Sequence, residues 1–562
     1  MLRREYSRSV LAVFWLGLAL LWFLPLGRPH LFDPDEGRYA EIPREMVASG
    51  DWVTPRLDAI KYFEKPPLGY WATAVAFELF GEHAWSVRLW PALSGMFGLL
   101  LTFWLGSRLF DQRAALLAVV VQASALLYIG LARIATLDMG LSFSLQIAMS
   151  ALALLVASPR PMAPTRHVAQ PRLGATHGWR LPLLLGVGVS LAVLSKGLVG
   201  ILIPGAVAVL FVLIHRDWRL PLRAQPWWTL AALLLLAAPW FVLVSVRNPE
   251  FAHFFFIFQH FQRYLSREQF DRYQPVWFFL PVLALGFLPW TTLLPHAVRS
   301  GWQAARAGER ASSLLLIWAG FVLLFFSLSQ SKLTPYILPM LPALSLLSGR
   351  AIARLPAARF AAHLAAVSLI SGTIAALVLL LWVLPAMAGL VARASSASIA
   401  GFAAAFALLA LGTGIGAHLG RRGAVLGAAF AAGLGGLLLA QSALLAADRL
   451  PRMRALVDLT QQLRPWVAPG TRLYCVNGYP QPLPFYLRHT CTLVGYRGEL
   501  DFGLRQEPWL AIDDLGQFVA DWQTQSDALA ILRPEDYQHL EALGAPMHVI
   551  YTAPSFVAVR RR

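Results

Sequence analysis

The chain has 562 residues, of which 57% are apolar and 14% charged, and its mean hydropathy is +0.57. An ordinary soluble domain carries about 25% charged residues, so a single water-soluble globule is excluded and a polytopic helical membrane protein is implied. The formal net charge of +17 does not point to nucleic acid, which needs one clustered basic face; here the arginines are scattered over short loops.

In chain order, Arg3, Arg4 and Arg8 precede an apolar run from Val10 to Leu26, the layout of a signal peptide. Gly27-Arg-Pro-His30 follows where a small-residue cleavage site would be needed, so this reads as an uncleaved first helix with its basic end inside. The stretch 31–85 is long and polar, as functional loops are. Within it Tyr39, Ile42, Met46 and Val47 recur at helical spacing while Arg38, Glu41, Arg44 and Glu45 lie off that stripe. This predicts an amphipathic helix on the outer leaflet, bent or restarted at Pro43. Asp33 and Asp35 fall at its N-terminus, where helix capping is the plain alternative to a functional role.

The apolar piece 67–80 reads as an interfacial or half-inserted helix. Runs of membrane-crossing length lie near 86–109, 113–131, 138–157, 180–196, 198–214, 227–246, 275–297, 312–330, 335–349, 361–386, 400–418 and 424–446, about thirteen helices with the first. With 67–80 not crossing, one side collects Arg108 and Arg113, then Arg160, Arg166, Arg172 and Arg180, then Arg216, Arg219 and Arg223. Arg299, Arg306 and Arg310, Arg350, Arg354 and Arg359, and Arg421 and Arg422 fall there too. That side is the inner one by the positive-inside bias, and the C-terminus is then outside. The Ala/Leu/Gly-rich stretch 361–446 reads as helix packing without chemistry.

The composition changes after Ala446, dividing a transmembrane domain (1–446) from a small outer α/β domain (447–562). Strands are predicted at 472–476, 490–494, 528–532 and 548–551, with helices near 481–487, 515–524 and 535–543. Both cysteines, Cys475 and Cys491, fall in neighbouring strands. They are either a disulfide or two small buried residues.

Chemistry-bearing residues gather on the outer side. An ionised Asp138 within hydrocarbon would cost about 2.5–3.5 kcal/mol, so it belongs at the boundary or in a polar cavity, unless it merely caps a helix starting at Met139. Lys65 precedes two stiffening prolines, and Lys332 lies at another outer boundary. In the Phe-rich segment 250–268, His253, His260, Arg263 and Arg267 recur at helical spacing. Cations and acids on one side suit an enzyme that displaces a lipid-linked phosphate from a sugar. A lipid-sugar flippase is the rival from another class, but no repeated halves are visible.

Asp35-Glu-Gly-Arg-Tyr-Ala-Glu-Ile42, Gly50-Asp-Trp52, Tyr62-Phe-Glu-Lys-Pro-Pro67 with Tyr70-Trp71, Gln259-His-Phe-Gln-Arg263 and Ser331-Lys-Leu-Thr-Pro-Tyr336 resemble the aminoarabinose lipid A transferase family. Its members are bacterial inner-membrane glycosyltransferases of the GT-C fold. The resemblance implies transfer of 4-amino-4-deoxy-L-arabinose from undecaprenyl phosphate to a lipid A phosphate at the periplasmic face, giving resistance to polymyxin and cationic peptides. It implies Asp35 and Asp138 as the acidic catalytic pair. Lys65, with Arg38, Tyr39, Tyr62, Arg263, Lys332 and Tyr336, would bind the donor phosphate and line the cavity. Glu64 and His260 would be a metal position for a divalent cation, zinc or magnesium; no organic cofactor and no nucleic-acid partner are expected. Gln259 replaces an acid common in the family, and Thr334-Pro335 stands in place of Pro-Thr. A transferase of the same architecture moving a hexose to protein, glycan or lipid is the nearest alternative.

Overall fold

The computed structural model describes residues 7–157, 178–262, 273–384 and 395–561. Every run expected to cross the membrane is helical there, but not all to full length. Among the described residues eight helices are long and apolar enough to span, including Leu89–Leu109, Asp138–Ala157, Ala357–Val383 and Val425–Asp448. Val276–Gly286 with Thr291–Arg306 makes a ninth if the pair is counted as one, bent by 115°. The other four, Arg8–Phe23, Gln112–Ser124, Arg180–Lys196 and Val199–His215, have 13 to 17 residues. Among the described residues the expected thirteen spans thus resolve into eight of crossing length, one bent pair and four shorter helices.

The expected single span over 275–297 is corrected to a broken one. Pro289 lacks an N–H and cannot continue the helix, and the chain turns there. The carbonyl of Leu288 accepts the Leu126 N–H at 3.1 Å, where Ala125 interrupts the helix that resumes as Leu126–Leu131. Small residues let backbones meet in the Ala/Gly-rich region: a Cβ on Gly412 or on Gly416 would stand 2.7 Å from a carbonyl oxygen of the Val425–Asp448 helix, at Ala431 and Ala428 respectively.

The Asp35–Ser49 helix forms with Pro43 inside it, and Leu68–Phe80 follows as a second short helix. The first does not lie open on a leaflet, which corrects the expectation from its stripe: Glu36, Arg38, Glu41 and Arg44 are buried along with Ile42 and Met46. Its polar side is covered because the C-terminal domain sits on it. Nor is the helix capped by an Asp. Pro34 occupies the cap position, and Asp33 accepts the Gln481 N–H at 3.1 Å instead.

Two short strands, β1 (Arg56–Leu57) and β2 (Ile60–Lys61), form a hairpin in the loop. The C-terminal domain is a six-stranded sheet with helices Pro482–Leu487, Leu515–Thr524 and Pro534–Ala542. Its strands are β3 (Arg472–Val476), β4 (Thr492–Val494), β5 (Ala511–Ile512), β6 (Ala528–Leu532), β7 (Met547–Ala553) and β8 (Phe556–Arg561), in the order β5-β4-β3-β6-β8-β7. β3 to β6 run parallel and β7–β8 is an antiparallel hairpin. Cys475 and Cys491 are buried free thiols, so the disulfide alternative does not hold. Cys475 stands opposite Leu493 in the register, and Cys491 lies just before β4.

One apolar cluster joins Ile42, Met46, Leu57, Ile60, Tyr62 and Tyr70 of the loop to Leu459, Leu473, Leu493 and Leu529 of the C-terminal domain. Loop and domain share a core, and that core fixes the floor of the candidate site.

Candidate active site

The loop is pinned first by an ion pair. Glu36 and Arg88 are both fully buried, joined by Nε–Oε1 at 2.8 Å and Nη2–Oε2 at 2.6 Å. Arg88 also donates to the carbonyls of Leu26, Pro29 and His30, while Glu36 accepts the N–H groups of Phe32 and Ala135. Four segments meet on this pair: the chain after the first helix, the Asp35–Ser49 helix, the start of Leu89–Leu109, and the turn before Asp138. A buried pair needs such extra hydrogen bonds to offset its desolvation.

The hairpin is tied next. Asp58 and Ala59 adopt φ of 58° and 64°, the left-handed pair of a two-residue turn, and their N–H groups both go to the Glu45 carboxylate at 2.5 and 2.9 Å. Burial, then the neighbouring charge of Glu41, pushes Glu45 up to about 8 against the pull of these N–H donors. Asp58 Oδ1 accepts the Cys491 N–H at 2.6 Å, and Arg56 forks onto Glu507 at 3.0 Å through both terminal nitrogens. At Gly37 a Cβ would lie 2.2 Å from the backbone nitrogen of Pro482, so only glycine allows the helix and domain to approach this closely.

On that frame Arg38 points inward. It donates to the Tyr62 hydroxyl at 3.2 Å and to Gln481 Oε1 at 3.4 Å, and pairs with Glu499 at 3.3 Å. Asp35 lies 3.9 Å from Arg38 and its side chain is 56% exposed, beyond hydrogen-bond reach of that guanidinium. Tyr39 is the centre of the group. Burial, then the charge of Asp35, pushes its phenol up, with Glu64 and Asp138 adding to the effect and Arg38 opposing it. The charges of Asp35, Glu64 and Asp138 therefore all act on one tyrosine.

Asp138 is the first residue of its helix, and Lys196 Nζ reaches its Oδ1 at 2.5 Å. The same ammonium lies 5.2 Å from the Tyr336 ring centroid, a cation–π distance. Lys65 donates to the Glu64 carbonyl at 3.0 Å. Burial, then the Glu64 charge, pushes the Tyr62 phenol up.

The structure thus brings Asp35, Arg38, Tyr39, Tyr62, Glu64, Asp138 and Tyr336 into one neighbourhood, with Lys65 adjoining Glu64. Lys332 does not turn toward the acids. Its ammonium donates to the carbonyls of Gln274 at 2.8 Å and Ser329 at 2.5 Å, bracing the turn before the Thr334–Met340 segment. Arg263 and the His260 side chain lie outside the described residues, as does Arg267. His253 to Gln262 is a π-helix, and the expected recurrence of His253 with the His260 side chain, Arg263 and Arg267 falls outside the described residues beyond His253.

Glu64 is flanked by Lys65 and feels Arg38, cationic company that repels a metal ion. Among the described residues no three His, Cys, Asp or Glu groups converge. The His260 side chain, half of the expected metal position, lies outside the described residues, and no step below passes through a metal.

Four contributors were missed. Lys196 closes an apolar run just before Gly197, on the side assigned to Asp138; that lone cation was the available signal. Tyr70 is buried beside Tyr39, with ring centroids 6.1 Å apart, and its hydroxyl has no partner among the described residues. Gln481 and Glu499 come from some 440 residues away along the chain, and no local pattern announces them.

Comparison with known proteins follows this division. Residues 10–255 match the model of the dolichyl-phosphate-mannose-protein mannosyltransferase family, and residues 459–561 match the aminoarabinose transferase C-terminal domain. ArnT from Cupriavidus metallidurans, crystallised with undecaprenyl phosphate, superposes with a TM-score of 0.88 at 35% identity, over 99% of this chain and 98% of that one. The chain belongs to the ArnT family. Its fold is that of the GT-C glycosyltransferases, and it is a multi-pass membrane protein. An ArnT relative from Erwinia tasmaniensis, described as an undecaprenyl phosphate-alpha-4-amino-4-deoxy-L-arabinose arabinosyl transferase, is 36% identical over 344 residues. That alignment covers 61% of this chain and 59% of the relative's length. The oligosaccharyltransferase of Archaeoglobus fulgidus shares the fold of this ArnT chain at a TM-score of 0.51 and 14% identity.

Proposed function

We propose that this chain moves 4-amino-4-deoxy-L-arabinose from undecaprenyl phosphate to a phosphate of lipid A. The observation that carries the reading is the near full-length likeness to an ArnT crystallised with undecaprenyl phosphate. We further propose an inner-membrane location with the site and C-terminal domain in the periplasm. Its support is the row of arginines on the opposite side, from Arg108 and Arg113 to Arg421 and Arg422.

In the reaction an oxygen of the acceptor phosphate attacks C1 of the sugar as the bond from C1 to the donor phosphate oxygen breaks, and undecaprenyl phosphate leaves with the bonding pair. The acceptor is already an anion at neutral pH, so a general base has little to remove. The acids instead meet the donor's amino group: Asp35, exposed and only distantly paired, accepts from the ammonium of the sugar. Asp138 is aimed by Lys196. Lys65 and Arg38 offset the charge that grows on the leaving phosphate. Tyr39, Tyr62 and Tyr336 wall the sugar from lipid. Displacement from the face opposite the leaving group inverts C1.

The test is mass spectrometry of lipid A from cells with and without the gene. Added pentosamine mass only in the cells that carry it supports the reading. Unchanged lipid A, with a hexose appearing on another acceptor, would replace it by the hexose-transferase alternative.

A further inference from the structure

A second cationic pocket lies at the seam between the loop and the C-terminal domain. It has a volume of about 480 Å³ and is lined by Glu82, His83, Arg464, Tyr486 and Arg488 among others. Arg488 ends the Pro482–Leu487 helix at φ 55°, a left-handed position that disfavours a residue with a Cβ. It pairs with Glu82 at 3.0 Å while its side chain stays 67% exposed. Arg464 donates once, to the Tyr486 carbonyl at 3.2 Å. Each guanidinium carries five N–H donors in a fork suited to phosphate.

Two placements say what the pocket faces. Beside it Val75, Leu79, Phe80 and Trp85 form an exposed apolar row, Leu79 at 69%, and the His83 ring stacks on Trp85 with an interplanar angle of 13°. Cations above an apolar row form the pattern of a lipid headgroup site at the membrane boundary. The pocket is also tethered to the transfer site by the Pro482–Leu487 helix. At one end Gln481 contacts Asp33 and Arg38; at the other stand Tyr486 and Arg488. Six residues rising 1.5 Å each give a separation on the order of 10 Å.

We propose that this pocket holds a second phosphate of the lipid acceptor while the first receives the sugar. The proposal rests on the function argued above. Glu82 is the internal competitor: it occupies Arg488 in the absence of acceptor and is displaced when the phosphate arrives.

The test uses the purified full chain in detergent, the lipid-linked aminoarabinose donor, and two acceptors, bisphosphorylated lipid A and its monophosphorylated counterpart. Wild type should show the lower KM for the bisphosphorylated form. Arg464→Gln with Arg488→Gln should raise that KM about tenfold, leaving kcat and the monophosphorylated KM unchanged. Glu82→Gln should lower the bisphosphorylated KM. An equal change on both acceptors, or none on either, would overturn the proposal. So would loss of the wild-type preference on adding phosphatidylglycerol at comparable mole fraction, which would give the pocket to bulk phospholipid. Wild type active on both acceptors without preference sinks the pocket alone. No transfer to either acceptor sinks the functional reading, and the pocket with it.

Discussion

Two ion pairs lie on the two sides of the Leu131–Asp138 turn, and they do opposite things. Glu36 and Arg88 have side chains at 0% exposure, and both carboxylate oxygens and most guanidinium donors are used by backbone or by each other. Asp138 and Lys196 keep 12% and 16% exposure, and they open toward Tyr39 and Tyr336. The first pair is saturated and can bind nothing more, so it holds four segments in place. The second is tight but incomplete and has donors and lone pairs left for a substrate. Charge type and depth do not separate a structural pair from a functional one; hydrogen-bond saturation does.

The largest effect should come from breaking the saturated pair. Glu36→Gln leaves Arg88 buried without its anion and should cost about 3–5 kcal/mol, seen as a fall in Tm and in the folded yield from the membrane. Lys196→Gln should behave in the reverse way. Folding stays close to wild type because the site is partly open, while turnover drops about a hundredfold as Asp138 loses its aim. Equal losses of stability in the two variants would erase the distinction.

Gly37→Ala should fall between them. Its Cβ meets backbone atoms of Gln481 and Pro482 at 2.4 and 2.2 Å, so the domain must move back at a cost of about 1–3 kcal/mol, read as faster proteolysis of the 449–562 region. The smallest effect concerns pH. Glu45 holds its proton up to about 8 in the folded chain against an ordinary value of 4.5. Between those values the folded state binds a proton that the unfolded state lacks, so stability falls as pH rises through this window. Asp58, pushed up by burial, acts in the same direction. Tm should be higher at pH 5.5 than at pH 8, by our expectation roughly a few degrees, and Glu45→Gln should flatten the slope.

Much of this was legible in the sequence, and the exceptions have a common cause. Long apolar runs and basic loops announce the helices, because hydropathy and the positive-inside bias act locally along the chain. All four strands expected in the C-terminal domain recur within two residues of their stated limits, while β5 is too short and β8 too charged at its end to stand out. Asp35 and Asp138 could be isolated because acids are scarce here. What could not be read was partnership. The stripe Tyr39, Ile42, Met46 suggested one buried face, whereas Glu36 and Arg38 find partners 52 and 443 residues away, and that pairing buries the other face. The break at Pro289 was written in one residue, but the surrounding apolar run concealed it.

The most direct test of the central claim is turnover per folded molecule, measured with lipid-linked aminoarabinose and lipid A, for wild type, Glu36→Gln and Asp138→Asn side by side. The expected result is that surviving folded Glu36→Gln keeps near wild-type turnover, while Asp138→Asn folds normally and loses most of it. Wild-type turnover in Asp138→Asn, or its loss in folded Glu36→Gln alone, would contradict the assignment of the active site.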